Sequence, residues 1–297
     1  MQNSFGRLLT SQATGETVFC FIFAFYFSPT VFLNIDPMKM ISRHFGLILL
    51  ICYDICIFSH LFIALNRLCA ICMPLRYTKL FSNSNTKLMM LASWIIPLLL
   101  CSLLYVYYDC GLIYEDSIYA FVWVPSNDCK FISWDICFRK DVCIVSIIAI
   151  ADITTIIKVH ITNKQIHKSG QRDTDRRRKK EINFLKQAVL QGIVFAFELY
   201  TYFILAWHFQ NKWIIFALTS VTWTCTHSSD ALIIIALNSE FRKLITVVKR
   251  PFRKCGQLEQ PNSHENVSKA RGYQINPIKS GAMLTTSETD YAIRGLA

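Results

Sequence analysis

The sequence predicts an all-α integral membrane protein whose chain crosses the bilayer about six times. Of its 297 residues, 53% are hydrophobic and only 17% are charged, whereas about a quarter of the residues in a soluble domain are charged. Six apolar runs approach or exceed the ~20 residues that span a bilayer as a helix. Lysine and arginine are concentrated in alternate connecting segments, which is the charge pattern of a multi-pass membrane protein.

The six candidate spans are apolar runs that contain very few charged residues. They are residues 17–35, 45–65, 88–108, 142–161, 188–207 and 213–237. Residues 1–16 are either a cytoplasmic N-terminal segment or the start of the first helix. Pro29 and Pro97 lie inside two of the spans. We expect each to kink its helix without ending it, because neighbouring helices can satisfy the carbonyl groups that a proline frees.

The distribution of basic residues sets the orientation of the spans. Of the 31 lysines and arginines, 25 lie in segments 1–16, 66–87, 158–186 and 238–297, and the other six lie in segments 36–44, 109–140 and 208–212. The positive-inside rule places the first group in the cytoplasm, together with both chain termini. The basic run at 176–180 lies between two spans, so it indicates a membrane anchor, and we expect no nucleic-acid partner.

The sequence after the last span predicts two cytoplasmic segments. Residues 238–254 place apolar side chains on one helical face and basic ones opposite, which predicts an amphipathic helix on the inner leaflet. Cys255 follows this helix and is either palmitoylated or a free thiol. Residues 255–297 are polar without an apolar period, and we expect them to be disordered.

No sequence motif indicates an enzyme or a metal site. The chain contains no HExxH, GxSxG or phosphate-binding glycine loop. Cys69 and Cys72 have the spacing of a zinc-ligand pair, but no second pair with ligand spacing accompanies them. We therefore expect no catalytic residues, no metal and no cofactor.

Four acidic residues lie inside the spans: Asp54, Asp152, Glu198 and Asp230. Ionisable groups inside a bilayer are costly, so they are usually functional or paired. No obvious buried base matches these four. They either contact a ligand or ion, or form hydrogen bonds between helices. Both interpretations stay open for Asp230, and packing is favoured for Asp152.

The strongest local signal is at the inner end of the second span. Asn66-Arg67 lies at the cytoplasmic lip and Pro74 follows in a short loop. This arrangement is similar to the Asp/Glu-Arg-Tyr region of rhodopsin-like G-protein-coupled receptors. In the last span, Asp230-Ala231 occupies the position of that superfamily's Asn/Asp-Pro-x-x-Tyr box.

A closer match is to nematode chemosensory receptors of the serpentine class X family, whose signatures resemble residues 60–77, 180–187 and 227–244 in order. The resemblance implies a rhodopsin-like helical bundle in the plasma membrane, a small chemical ligand between the outer halves of the helices, and a heterotrimeric G protein on the inner face. It assigns G-protein coupling to Asn66, Arg67 and Glu181. Apart from the resemblance, the candidates for a ligand site or polar network are four ionisable residues inside the spans: Asp54, Glu198, His227 and Asp230.

The chain departs from the family pattern at identifiable positions. Asn66 replaces the acid that usually restrains the arginine, so we expect Glu181 to be the resting partner of Arg67. Ala231 replaces a proline. The resemblance begins at Ser4, which in the family lies just after the first helix, so we expect six of the seven helices.

Two cysteines of the outward segment 109–140 are expected to form a disulfide, Cys110 with Cys129, because that compartment is oxidising. The usual superfamily partner at the outer end of the preceding helix is missing, since segment 36–45 contains no cysteine. Cys137 is a competing partner.

Two alternative functions stay open. One is a six-helix transporter or channel subunit, which the buried acids would suit. The other is a truncated receptor product that does not signal.

Overall fold

The structure, a computed structural model, describes residues 4–167 and 174–237, and the side chains of residues 4–162 and 185–237. The predicted amphipathic helix 238–254, the tail 255–297 and Cys255 lie outside the described residues. Glu181 lies within a described helix, but its side chain is outside the described part.

Six long helices, named α1 to α6, form a bundle, and this confirms the predicted all-α membrane fold. Two are regular α-helices, α2 (Ser42–Cys72) and α3 (Asn83–Val106). The other four each contain one wider π-helical stretch. They are α1 (Ser4–Ile22, Phe23–Phe27, Ser28–Leu33), α4 (Asn127–Phe131, Ile132–Phe138, Arg139–His167), α5 (Thr174–Tyr200, Thr201–Leu205, Ala206–His208) and α6 (Lys212–Phe216, Ala217–Val221, Thr222–Leu237). Short helices Asp36–Met40 and Pro74–Leu80 lie in two connections.

Within the described residues, α1 to α5 each have the length and apolar composition needed to cross a membrane. Helix α6 is long enough, but its stretch 222–230 is rich in threonine and serine and includes His227 and Asp230. These polar residues interrupt the apolar sequence of α6.

All six helices begin earlier than the predicted spans, and the difference is largest for α1, α4 and α5, which begin at residues 4, 127 and 174 where 17, 142 and 188 were predicted. Helix α1 starts at Ser4, and Leu8 and Leu9 of its first turns pack against Ile63 of α2 and Ile234 of α6. Helix α4 starts at Asn127, because the side chain of the preceding Ser126 accepts a hydrogen bond from the backbone N–H of Cys129, as an N-cap does. Much of the predicted outer loop is therefore helical.

Both prolines lie inside continuous helices, as expected. Pro29 lies two residues after the π-helical stretch of α1 ends, and the intervening Ser28 donates a hydrogen bond from its Oγ to the Phe23 carbonyl. Proline removes one backbone donor and crowds the preceding turn, and the wider turn accommodates this. Pro97 lies within α3.

An antiparallel hairpin, β1 (Leu112–Glu115) with β2 (Ala120–Trp123), lies over one end of the bundle, called the hairpin end. It packs directly on α2: a Cβ atom on Gly46 would lie 2.1 Å from the Leu112 carbonyl oxygen. Only glycine allows so close an approach. At the hairpin turn, a hydrogen bond from Lys39 holds the pKa of Asp116 below its usual range.

The hairpin is held by the predicted disulfide. Cys110 and Cys129 are bonded, which joins the segment after α3 to the first turn of α4. The competing partner, Cys137, is a free and buried thiol. The disulfide prediction is confirmed.

Candidate functional site

A small cavity lies beneath the hairpin, between α2, α3, α4, α5 and α6, and is called the hairpin-end cavity. Its polar lining residues are Tyr53, Asp54, Lys140, Asp141, Glu198 and Tyr202. The cavity lining also includes aromatic side chains, among them Trp123, Phe203 and Trp223. The volume is about 40 Å³, which holds roughly three water molecules. Any ligand that fits without rearrangement is therefore very small.

Asp54 is paired with a lysine inside the cavity. Lys140 Nζ lies 2.5 Å and 2.6 Å from the two carboxylate oxygens of Asp54, and 3.3 Å from Asp141 Oδ1. The expectation that no buried base matches the intramembrane acids is therefore wrong for Asp54. The physical reason is the early start of α4 at Asn127, which places Lys140 inside the helix and not in an outer loop.

Glu198 lines the same cavity and is only 4% exposed. Its Oε2 atom has no hydrogen-bond partner among the described residues, and the same is true of Tyr53 Oη and Trp223 Nε1. Of the sequence-predicted ligand residues, the cavity thus brings together Asp54 and Glu198.

Asp230 lies elsewhere, in a second buried cluster between α1, α2 and α6 called the central polar cluster. Asp230 Oδ2 is 3.0 Å from His60 Nε2, and Gln12 Nε2 donates to Glu16 Oε1 at 2.5 Å and to Asp230 Oδ2 at 3.2 Å. His60 is a second base that the expectation of unmatched acids overlooked.

The central polar cluster is the group of described residues whose atoms are close enough to hold a metal ion. The ligand atoms of Glu16, His60 and Asp230 lie within 4.8 Å of one another. Gln12 contacts all three residues, so hydrogen bonds between these side chains already account for the arrangement.

His227 packs among aromatic rings. Its ring centre is 3.9 Å from that of Phe19 and 5.6 Å from that of Phe195. Neither ring nitrogen has a hydrogen-bond partner among the described side chains. His227 does not line the hairpin-end cavity, so the structure separates it from Asp54 and Glu198.

Arg67 lies near the opposite end of α2, called the Arg67 end. Its Nη2 atom is 3.9 Å from Asp152 Oδ1 of α4, and its Nε donates to the Ile63 carbonyl. Asp152, for which the sequence favours packing, thus faces Arg67 and has a base beside it. Asn66 Nδ2 donates to Tyr77 Oη at 3.4 Å. The expected Arg67–Glu181 contact falls outside the described side chains.

Sequence reasoning missed Lys140, Asp141, Gln12 and Glu16. Ser126, a good N-cap residue immediately before 127–140, could have extended α4 to include Lys140 and Asp141. Gln12 and Glu16 were left in the segment preceding the first span. Their i, i+4 spacing on one helical face was the available signal.

Comparison with known proteins finds matches over most of the chain. The family model for "Serpentine type 7TM GPCR chemoreceptor Srx" matches residues 1–238. Serpentine receptor class X 45 of Caenorhabditis elegans is 30% identical, over 94% of this chain and 80% of the relative. Serpentine receptor class X-43 of the same organism is 26% identical, over 82% of this chain and 76% of the relative.

Proposed function

The chain belongs to the Srx family of serpentine chemoreceptors, which are multi-pass membrane proteins, and from this premise we propose that it binds a small chemical ligand and activates a heterotrimeric G protein. The ligand occupies the hairpin-end cavity, and the G protein binds at the Arg67 end. We place the hairpin end outside the cell, at the plasma membrane, and both termini in the cytoplasm.

The observation that carries this proposal is that one helix, α2, contributes to both sites. Tyr53 and Asp54 line the cavity, while Asn66 and Arg67 lie near the other end of α2. Asp54 and Arg67 are about 20 Å apart along the helix at 1.5 Å per residue. A rigid helix that reaches both sites is a physical route for coupling them.

Helices α2 and α4 contact each other both at the hairpin-end cavity and at the Arg67 end. Helix α4 supplies Lys140 to Asp54 in the cavity and Asp152 to Arg67 at the other end. A ligand that competes for Asp54 or Lys140 changes how α2 and α4 pack. Signalling then follows as a population shift between two packings, driven by the ligand's differential affinity for them.

Two independent observations support an orientation with the hairpin end outside the cell and the Arg67 end in the cytoplasm. The basic residues are concentrated on the side of the Arg67 end, and the hairpin carries a disulfide, which persists in an oxidising compartment.

The decisive variant is Arg67→Ala, measured in cells with a panel of small chemicals. We expect the loss of ligand-dependent G-protein activation with normal surface expression, because the cation at the Arg67 end is removed. The matched control is Arg139→Ala, which removes an arginine that is 75% exposed and lies outside both sites.

Normal activation by Arg67→Ala would contradict the coupling role. Ligand-dependent solute flux in vesicles, without G-protein activation, would favour the transporter or channel alternative.

A further inference from the structure

The hairpin-end cavity has an excess of acidic groups. Its lining includes three carboxyl groups, Asp54, Asp141 and Glu198, and one basic side chain, Lys140. The ammonium group of Lys140 is already shared between Asp54 and Asp141. An anionic ligand would meet this excess negative charge, and the described lining residues offer no second cation to receive it.

Glu198 is the carboxyl group that Lys140 does not reach. It is close enough to Asp141 for the two negative charges to repel each other, and its Oε2 atom has no partner among the described residues. A buried acceptor without a donor costs free energy, and the cost is larger for a charged group. A cationic donor in the cavity would remove that cost.

Aromatic rings surround the place where such a cation would bind. The ring of Trp223 lies 6.1 Å from that of Tyr53 and 5.8 Å from that of Tyr202, centre to centre. All three residues line the cavity together with Glu198. Tryptophan and tyrosine faces attract ammonium groups through the ring quadrupole. The aromatic rings and the Glu198 carboxylate therefore both favour a cationic ligand.

We propose that the ligand of the hairpin-end cavity is a small protonated amine, anchored by the carboxylate of Glu198 and enclosed by the rings of Tyr53, Tyr202 and Trp223. This assignment rests on the proposed receptor function and names its ligand class. The cavity volume of about 40 Å³ limits the amine to a few heavy atoms, on the order of the three waters it could hold.

The test measures binding directly, on the full chain in lipid nanodiscs at neutral pH. Isopropylamine is the probe, and 2-propanol is its neutral counterpart of nearly equal shape. We expect isopropylamine to raise the unfolding temperature in a concentration-dependent way, because a ligand that binds only the folded state stabilises it. We expect 2-propanol and acetate at the same concentrations to have no such effect.

Two variants locate the site. Glu198→Gln keeps the shape and removes the charge, and we expect the apparent affinity for isopropylamine to fall about tenfold or more. Asp135→Asn is the matched control. It removes a carboxylate of α4 that pairs with Arg139 and does not line the cavity, and its amine affinity should equal that of the wild type.

Equal stabilisation by 2-propanol and isopropylamine in the wild type would overturn the assignment, and this comparison does not depend on how well a variant folds. Unchanged amine affinity in a folded Glu198→Gln variant would also overturn it. Failure of the receptor function looks different: the wild type would bind the amine and activate no G protein. If neutral chemicals activate the G protein equally through the wild type and Glu198→Gln, only the amine assignment fails.

Discussion

At the residue scale, the ion pair between Asp54 and Lys140 is the shortest charged contact in the hairpin-end cavity. Lys140 faces two carboxylates, at 2.5 Å and 3.3 Å, and it is the basic side chain that lines the cavity with them. Breaking a buried ion pair leaves an uncompensated charge, which typically costs about 3–5 kcal/mol. Removing the two partners should therefore cost different amounts of stability. Removing the lysine leaves two unpaired acids, whereas removing Asp54 leaves Asp141 beside the lysine.

We predict that Lys140→Met destabilises the protein more than Asp54→Asn does. The expected costs are about 5 kcal/mol and about 3 kcal/mol, the two ends of the range for a broken buried pair. Thermal unfolding in lipid nanodiscs shows which of the two variants is less stable. The double variant Asp54→Leu with Lys140→Met should be more stable than Lys140→Met alone, because both partners are replaced by apolar groups.

Arg139→Met is the control for this series, since that side chain is exposed and next to Lys140 in sequence. A larger loss of stability in Asp54→Asn than in Lys140→Met would show that Asp141 does not share the lysine.

At the element scale, the hairpin closes the bundle through a covalent bond and a close backbone contact. The disulfide joins residues separated by 19 positions. Leu112, Tyr114 and Phe121 belong to the same buried cluster as Phe27 of α1 and Trp223 of α6. The hairpin therefore forms part of the core and forms one side of the cavity.

We predict that Cys110→Ser lowers the free energy of unfolding by about 3 kcal/mol, the chain-entropy value for a loop of this length. Peptide mass mapping under non-reducing conditions should find the Cys110–Cys129 bond in the wild type. Cys137→Ser is the control and should keep the bond. Finding Cys110 bonded to Cys137 in the folded wild type would contradict the structure.

We predict that Gly46→Ala destabilises the protein by about 1–3 kcal/mol, the usual cost of overpacking. The added Cβ would collide with the Leu112 carbonyl of the hairpin backbone, which cannot rotate away as a side chain can. Gly192→Ala is the matched control, because nothing lies within 4 Å of its added Cβ. It should be neutral or stabilising, since glycine weakens a helix interior. Equal stability of the two variants would show that the hairpin does not rest on α2.

At the scale of the whole molecule, orientation in the membrane decides which end meets the ligand. Asp116 lies exposed in the hairpin turn and is followed by Ser117 and Ile118. The variant Asp116→Asn with Ile118→Thr creates a glycosylation site there, in a chain whose natural sequon is Asn266-Val267-Ser268. We predict glycosylation at the new hairpin site and none at Asn266, read as a glycosidase-sensitive mass shift.

The same pair of substitutions in an Asn266→Gln background is the control, and its mass shift should be unchanged. Modification of Asn266 without modification of the hairpin site would mean that the orientation is reversed.

The sequence by itself determined the membrane class, the helical fold, the family and the disulfide. These follow from local properties: apolar runs long enough to span a bilayer, basic residues on alternate connections, short motifs at the ends of spans, and two cysteines in one segment assigned to the oxidising side. Each is readable because the bilayer imposes a length and a sidedness on every span.

Only the tertiary structure decided which charges meet. Sequence reasoning identified Asp54 and Glu198 but assigned Lys140 to a loop. It also grouped Asp230 and His227 with Asp54 and Glu198, although neither of them lines the hairpin-end cavity. Inside a bundle, a residue's partner depends on the rotation and packing of helices that are distant in sequence, and residues 54 and 140 are brought together by contacts between α2 and α4. No local pattern along the chain carries that information, because an apolar helix has no strongly polar face to fix its rotation.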